Sequence, residues 1–177
     1  MATFLPSNVP FGIAHRGGDE AAPENTLAAF EHAIGLGYRH LETDVHLTAD
    51  GVLVAFHDGD LRRSAGRADA IADLTWSELS AVDLGGGHRV SRMAELFEAL
   101  PDACFNIEPK SDGAVAPLAA AIRAADAVDR VGVGSFRDDR VRAVRSLLGV
   151  PLATSPGPRD LVRLGDALGE VALVEGL

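Results

Sequence analysis

The sequence predicts an α/β fold, a parallel sheet with helices packed outside it, and three observations carry that reading. Short apolar runs and helix-periodic segments take turns along almost the whole chain, the pattern of successive βα units. Hydrophobic residues make up 47% of the sequence and charged residues 24%, the balance of a globular protein with a core of its own. Finally, His15-Arg16-Gly17, Glu42-Thr43-Asp44, His57-Asp58 and Glu108-Pro109-Lys110 each stand where an apolar run stops. Parallel α/β sheets present their functional groups at the carboxyl ends of strands, so these positions define one candidate rim.

Taken in order, Phe11 to Ala14 is a short apolar strand. Asn25 or Thr26 then caps a helix in which Leu27, Phe30, Ala33 and Ile34 fall on one face, and Gly35 and Gly37 stop it. Arg39 to Val45 is extended, and Val52 to Phe56 follows across Asp50-Gly51, a tight turn short enough for a hairpin, with a bulged parallel excursion as the alternative. From Leu61 to Arg92 the period is lost, and the segment reads as an excursion beside the main architecture. Within it a short helix spans Thr75 to Ala81, capped by Thr75 with Glu78 three residues on.

Alternation then resumes with a helix over Met93 to Leu100, a strand over Ala103 to Glu108 and an alanine-rich helix over Val115 to Ala127. A strand over Val131 to Gly134, a helix over Asp139 to Leu148 and a strand over Pro151 to Thr154 come next. A helix over Arg159 to Leu168 and a strand over Val171 to Val174 complete the series. No repeat or linker divides the 177 residues, so residues 1–177 read as a single domain with an inserted segment at 61–92.

Charge and cysteine content narrow the function. The 16 basic and 26 acidic residues give a net charge of −10, which repels polyanions and argues against nucleic acid as a partner. An anionic small molecule needs a locally positive site, which Arg16 and Lys110 with a bound metal would supply. The single cysteine, Cys104, lies in an apolar strand and reads as core. No stretch has the roughly 20 apolar residues of a membrane span, and no signal segment stands at the N-terminus, so a cytoplasmic location is expected.

The rim residues have a common chemistry. Glu42 and Asp44 project from one face of a strand by alternation, as do Glu108 and Lys110. Paired carboxylates among apolar neighbours call for a cation, and carboxylate oxygens suit a hard divalent one. Arg16 suits a phosphate. His15 and His57 at two strand ends suit proton transfer. Lys110 has a competing role in neutralising the carboxylates, and His46 shares their face one step further along. Asp50 reads as a turn residue, Glu24 as a first-turn helix acid, and His32, His40 and His88 as surface residues.

His15-Arg16-Gly17-Gly18, Pro23-Glu24-Asn25-Thr26 with Ala29-Phe30, Glu42-x-Asp44-Val45 with Thr48-x-Asp50-Gly51, His57-Asp58 and Glu108-x-Lys110 resemble the glycerophosphodiester phosphodiesterase family in content and order. The resemblance extends through Leu61-x-Arg63, Ser135-Phe136 and Leu152. It implies a TIM-type (β/α)8 barrel with an insertion after the third strand. It implies that Glu42, Asp44 and Glu108 hold Ca²⁺ or Mg²⁺, that Arg16 and Lys110 bind the substrate phosphate, and that His15 and His57 are general acid and base in either order. It further implies hydrolysis of small glycerophosphodiesters to sn-glycerol 3-phosphate and an alcohol, through attack by the neighbouring glycerol hydroxyl. Lysophospholipase D-type activity on a related lipid and a non-catalytic metal- or phosphate-binding remnant are the alternatives.

Two departures stand out. Val90-Ser91 replaces the family's usual Ile-Pro before the helix at Met93. A barrel of this kind needs about 250 residues, so the expectation is a C-terminally incomplete barrel of about seven of its eight strands, whose unclosed edges invite self-association.

Overall fold

The computed structural model describes Phe4 and residues 11–155. The predicted helix over Arg159 to Leu168 and strand over Val171 to Val174 lie outside the described residues. Strand β1 (Ile13–His15) leads to helix α1 (Leu27–Gly35), strand β2 (His40–Leu47) and strand β3 (Leu53–Ala55). Short helices α2 (Arg62–Ala65) and α3 (Trp76–Leu79) follow, then strand β4 (Ser91–Arg92) and helix α4 (Met93–Ala99). Strand β5 (Cys104–Pro109), helix α5 (Val115–Ala124), strand β6 (Val131–Val133), helix α6 (Asp138–Leu148) and strand β7 (Ala153–Thr154) complete the order.

Strands β1, β2, β5, β6 and β7 run parallel to one another, as the βα alternation predicts. Strand β2 organises them. One edge pairs with β5 from His40 to Val45; the other pairs with β1 over its first three residues and, antiparallel, with β3 over its last three. The third strand therefore departs from the parallel rule. Strand β2 overshoots the end of β1, turns at Asp50-Gly51 and folds back as a hairpin, with Val45 opposite Ala55. His57 reaches the rim from above, beside Asp44, whose carbonyl accepts from the Phe56 N–H at 2.9 Å.

The main core lies between the parallel strands and helices α1, α4, α5 and α6, where Phe30, Leu41, Phe105, Ile107, Leu118 and Val144 are fully buried. Phe105 meets Phe30 and Phe97 edge-on, at centroid distances of 5.9 and 5.7 Å. Each such side chain contributes about 1.5–3 kcal/mol by burial. Arg130, itself buried, donates to the carbonyls of Phe97, Leu100 and Ala103 and so closes the C-terminal end of α4 onto the start of β6. Residues 61–92 build a second, smaller cluster around Leu61, Ile71, Leu79 and Val90 against Val54 and Phe56 of the hairpin.

Local chemistry sets the element ends. Thr26, the N-cap of α1, accepts from the Ala29 N–H, and the Ser91 hydroxyl takes the Leu27 N–H at 3.1 Å, tying α1 to β4. Helix α6 starts with Asp138 and Asp139 in its first turn and stops at Gly149, whose φ is 68°. The capping box of Thr75 and Glu78 forms as expected, on a helix that ends at Leu79 rather than Ala81. His40 corrects its surface reading: it is buried in β2, where its Nε2 donates to the Phe4 carbonyl at 2.6 Å and its ring packs on Phe11.

Candidate active site

Strand register decides which side chains share the sheet's inner face. His15 lies opposite Glu42, Glu42 opposite Asn106, and Asp44 opposite Glu108. Directly paired residues point to the same side, so His15, Glu42 and Asn106 form one row, with Asp44 and Glu108 two residues closer to the carboxyl end. Leu41, Val45, Phe105 and Ile107 alternate with them and face the helices. All seven predicted residues, His15, Arg16, Glu42, Asp44, His57, Glu108 and Lys110, come from this rim or the loops that continue it.

Arg16 sits in the left-handed region at φ 54°, a conformation that costs about 1–2 kcal/mol for a residue with a Cβ. The turn gives its N–H to Glu42 Oε2 at 3.1 Å and brings its side chain to Asp44, Nε to Oδ2 at 3.3 Å, and to Glu24 at 3.2 Å. Gly17 must be glycine here. Its φ is 78°, and a Cβ would lie 2.9 Å from the Phe30 ring and 3.0 Å from the α1 backbone.

Lys110 extends its ammonium between Asp44 Oδ1 at 3.1 Å and Glu108 Oε2 at 3.3 Å. Asp44 is 2% exposed, yet its Oδ2 lacks a hydrogen-bond partner, because the approach of Arg16 Nε has ion-pair but not hydrogen-bond geometry. Glu42 is pushed up to about 7 by burial, then by the charges of Asp44 and Glu108, against the opposing pull of Arg16. The inner face thus carries more negative charge than Arg16 and Lys110 relieve. Among the described residues no three His, Cys, Asp or Glu side chains stand close enough together to hold an ion as they are. The donor chemistry nevertheless suits a hard dication: three carboxylates, one with an orphaned buried oxygen and one held near neutrality.

The two histidines differ in setting. His15 is exposed and lies 3.8 Å from Glu42 Oε2 through its Nε2. His57 is fixed: its Nδ1 donates to Asp58 Oδ1 at 2.6 Å. Asp58 is held below the usual carboxylate range, first by its hydrogen bond from Arg63, so it is an acceptor, and the acceptor sets the tautomer. The Nε2 of His57 is left for proton transfer. His46, whose burial pushes its pKa down, donates through Nε2 to the His57 carbonyl at 3.0 Å and so supports the backbone of that residue.

Sequence reasoning missed part of this. Glu24 precedes α1 instead of lying in its first turn, and it binds Arg16 and Arg63. Burial works against its ionised form, but the two arginines outweigh that and hold it below the usual range. Asn25 adopts φ 59° and accepts from the buried Thr43 hydroxyl at 2.7 Å, pinning the loop after β1 to β2. Asn106 was legible in the alternation of β5, two residues before Glu108 on the same face. A cleft of about 220 Å³ beside His57 is lined by Glu24, Asn25, Phe56, Arg63 and Leu84, among others.

The parallel strands, the helices outside them and the acids, cations and histidines on the inner rim make this a TIM-type α/β protein with a polar site at the carboxyl ends of its strands. Residues 15–152 match the model of the glycerophosphoryl diester phosphodiesterase family, and the chain belongs to that family. It is 37% identical over 160 residues to the probable glycerophosphodiester phosphodiesterase 2 of Mycobacterium tuberculosis, an alignment covering 90% of this chain and 61% of that protein. It is 38% identical over 111 residues to a Rattus norvegicus protein named lysophospholipase D GDPD1, covering 55% of this chain and 35% of that one. A glycerophosphodiester phosphodiesterase crystal structure from Agrobacterium tumefaciens superposes with a TM-score of 0.72 at 32% identity, covering 77% of this chain and 62% of that chain. The chain thus spans about three-fifths of the Mycobacterium relative's length. No helix among the described residues is long and apolar enough to cross a membrane.

Proposed function

We propose that this chain, a single domain with residues 61–92 as an insertion, hydrolyses glycerophosphodiesters to sn-glycerol 3-phosphate and an alcohol. The observation that carries the reading is the inner row of Glu42, Asp44 and Glu108 interleaved with Arg16 and Lys110, an arrangement in which acids exceed cations and one acid is forced toward neutrality. Glu42, Asp44 and Glu108 would hold Ca²⁺ or Mg²⁺. When bound, the dication stabilises negative charge on the phosphoryl oxygens. Binding would also restore Glu42 to its ionised form.

The remaining steps belong to the side chains. Arg16 presents its guanidinium and Lys110 its ammonium to the phosphate, as fixed positive groups aimed where charge grows. One histidine takes the proton of the glycerol hydroxyl next to the ester, and that oxygen attacks phosphorus. The other gives a proton to the departing alkoxide, and the cyclic phosphate is then opened by water with the histidine roles reversed. His57, oriented by Asp58, exchanges its proton at Nε2. The same headgroup chemistry extends to a lysophospholipid, a reading that the similarity to lysophospholipase D GDPD1 favours for part of the chain.

The test is release of glycerol 3-phosphate from glycerophosphocholine by the 177-residue protein in Ca²⁺, Mg²⁺ or EDTA, beside His15→Ala. Metal-dependent release that the substitution lowers by about 10²-fold or more is the expected result. A folded protein that binds the cation yet releases nothing overturns the hydrolase reading and leaves a binding domain.

A further inference from the structure

Arg63 stands outside the catalytic inventory, in the first turn of α2, yet it touches both halves of the site. Its Nη2 donates to Glu24 Oε1 at 2.5 Å and its Nε to Asp58 Oδ2 at 2.7 Å. Glu24 in turn receives Arg16 Nη1 at 3.2 and 3.3 Å, and Asp58 receives His57 Nδ1 at 2.6 Å. The result is an unbroken chain of alternating charge from Arg16, through Glu24, Arg63 and Asp58, to His57. Its ends are the phosphate-binding cation and the proton-transfer group.

We propose that Arg63 is a positioning residue that couples the two halves of the active site, setting the aim of Arg16 through Glu24 and the tautomer and orientation of His57 through Asp58. This rests on the reading of Arg16 and His57 given above. Arg63 is 54% exposed along its side chain, and an isolated exposed pair adds little to stability. What the residue supplies is geometry. A planar guanidinium holds two carboxylates at once in fixed directions, whereas an ammonium is a single point charge. The carboxylates belong to segments far apart in sequence, the loop before α1 and the turn after β3, so the fork also staples the insertion to the barrel rim. Both carboxylates stay ionised in its presence, as an orienting acceptor must.

The proposal separates from a merely structural role in three readouts. In Arg63→Ala the KM for glycerophosphocholine rises as Arg16 loses its aim, and kcat falls as His57 loses its orientation. Together they lower kcat/KM about 10–100-fold, the usual effect of losing an outer orienting partner. Arg63→Lys, which keeps the charge and the fold, recovers only a small part of this, and added methylguanidinium partly restores Arg63→Ala. The third readout needs no turnover. In ¹⁵N-histidine-labelled protein the Nδ1 proton of His57 resonates downfield through its bond to Asp58, and Arg63→Ala or Arg63→Lys shifts that signal upfield or broadens it by exchange. An unmoved His57 signal with kcat and KM within twofold of the parent overturns the proposal, as does full recovery by lysine. A parent protein without turnover overturns the hydrolase reading instead, and the His57 signal alone then decides the role of Arg63.

Discussion

The barrel rim and the 61–92 excursion differ in how fully they balance charge. Between residues 58 and 92 the pairs are local but for one: Arg62 with Asp60, Arg67 with Asp69, Arg63 with Asp58, Arg89 with Asp83 and Arg92 with Glu95 each join partners within six residues, while Arg63 alone among these also reaches back to Glu24. At the rim Asp44 draws its two cations, Arg16 and Lys110, from distant segments, and the balance is incomplete, with Glu42 pushed up to about 7 and an Asp44 oxygen without a hydrogen-bond partner. The packing runs the other way. The barrel has a large core of fully buried aromatic and branched side chains, while the excursion rests on a small cluster and its turns. A large core can support a destabilising constellation, and that is where the candidate site stands.

The largest effect expected is on the barrel core. Phe105→Ala removes a fully buried ring in contact with two others and should cost about 3–5 kcal/mol in urea unfolding, with amide exchange accelerating across all parallel strands. Exchange confined to β5 would show that the barrel is not one cooperative unit.

The rim comes next. Glu42 is pushed from the ordinary 4.5 to about 7, so between those values the folded protein binds more protons than the unfolded one, and stability without metal falls as pH rises from about 4.5 to 7. Glu42→Gln should remove that fall, gaining on the order of 2–3 kcal/mol at pH 8 in EDTA and nothing at pH 4. Equal stability of the two proteins at pH 8 would mean that the acids are already balanced and would erase the contrast.

The smallest effect belongs to the excursion. Thr75→Ala breaks the capping box in which Glu78 Oε2 accepts from the Thr75 N–H and hydroxyl, and should cost about 1 kcal/mol. Faster exchange should be restricted to residues near α3. A loss of 3 kcal/mol or more would make the excursion integral to the barrel.

Several features were legible in the sequence because they are local. The βα alternation, the Asp50-Gly51 turn, the Thr26 and Thr75 caps and the same-face placement of Glu42 with Asp44 follow from side-chain period and hydrogen-bonding chemistry a few residues apart. The strand ends that carry histidines and acids were legible as well, since an apolar run that stops at a histidine or an acid is visible in one dimension. The misreadings were long-range. Glu24 passed for a helix acid because its partners are Arg16 and an arginine in another segment. His40 passed for a surface residue because the phenylalanines that bury it, Phe4 and Phe11, lie in the N-terminal segment.

Amino-acid order by itself determined the βα alternation that makes most of the sheet parallel and the inventory of acids, cations and histidines, for each depends on neighbours along the chain. Only the tertiary structure decided that His57 follows an antiparallel strand, that Lys110 comes between Asp44 and Glu108, and that one arginine of the 61–92 segment grips both Glu24 and Asp58. Those outcomes depend on strand register and on how far β2 overshoots β1. Register is the sum of many small packing preferences across the whole core, and no short stretch of sequence carries it.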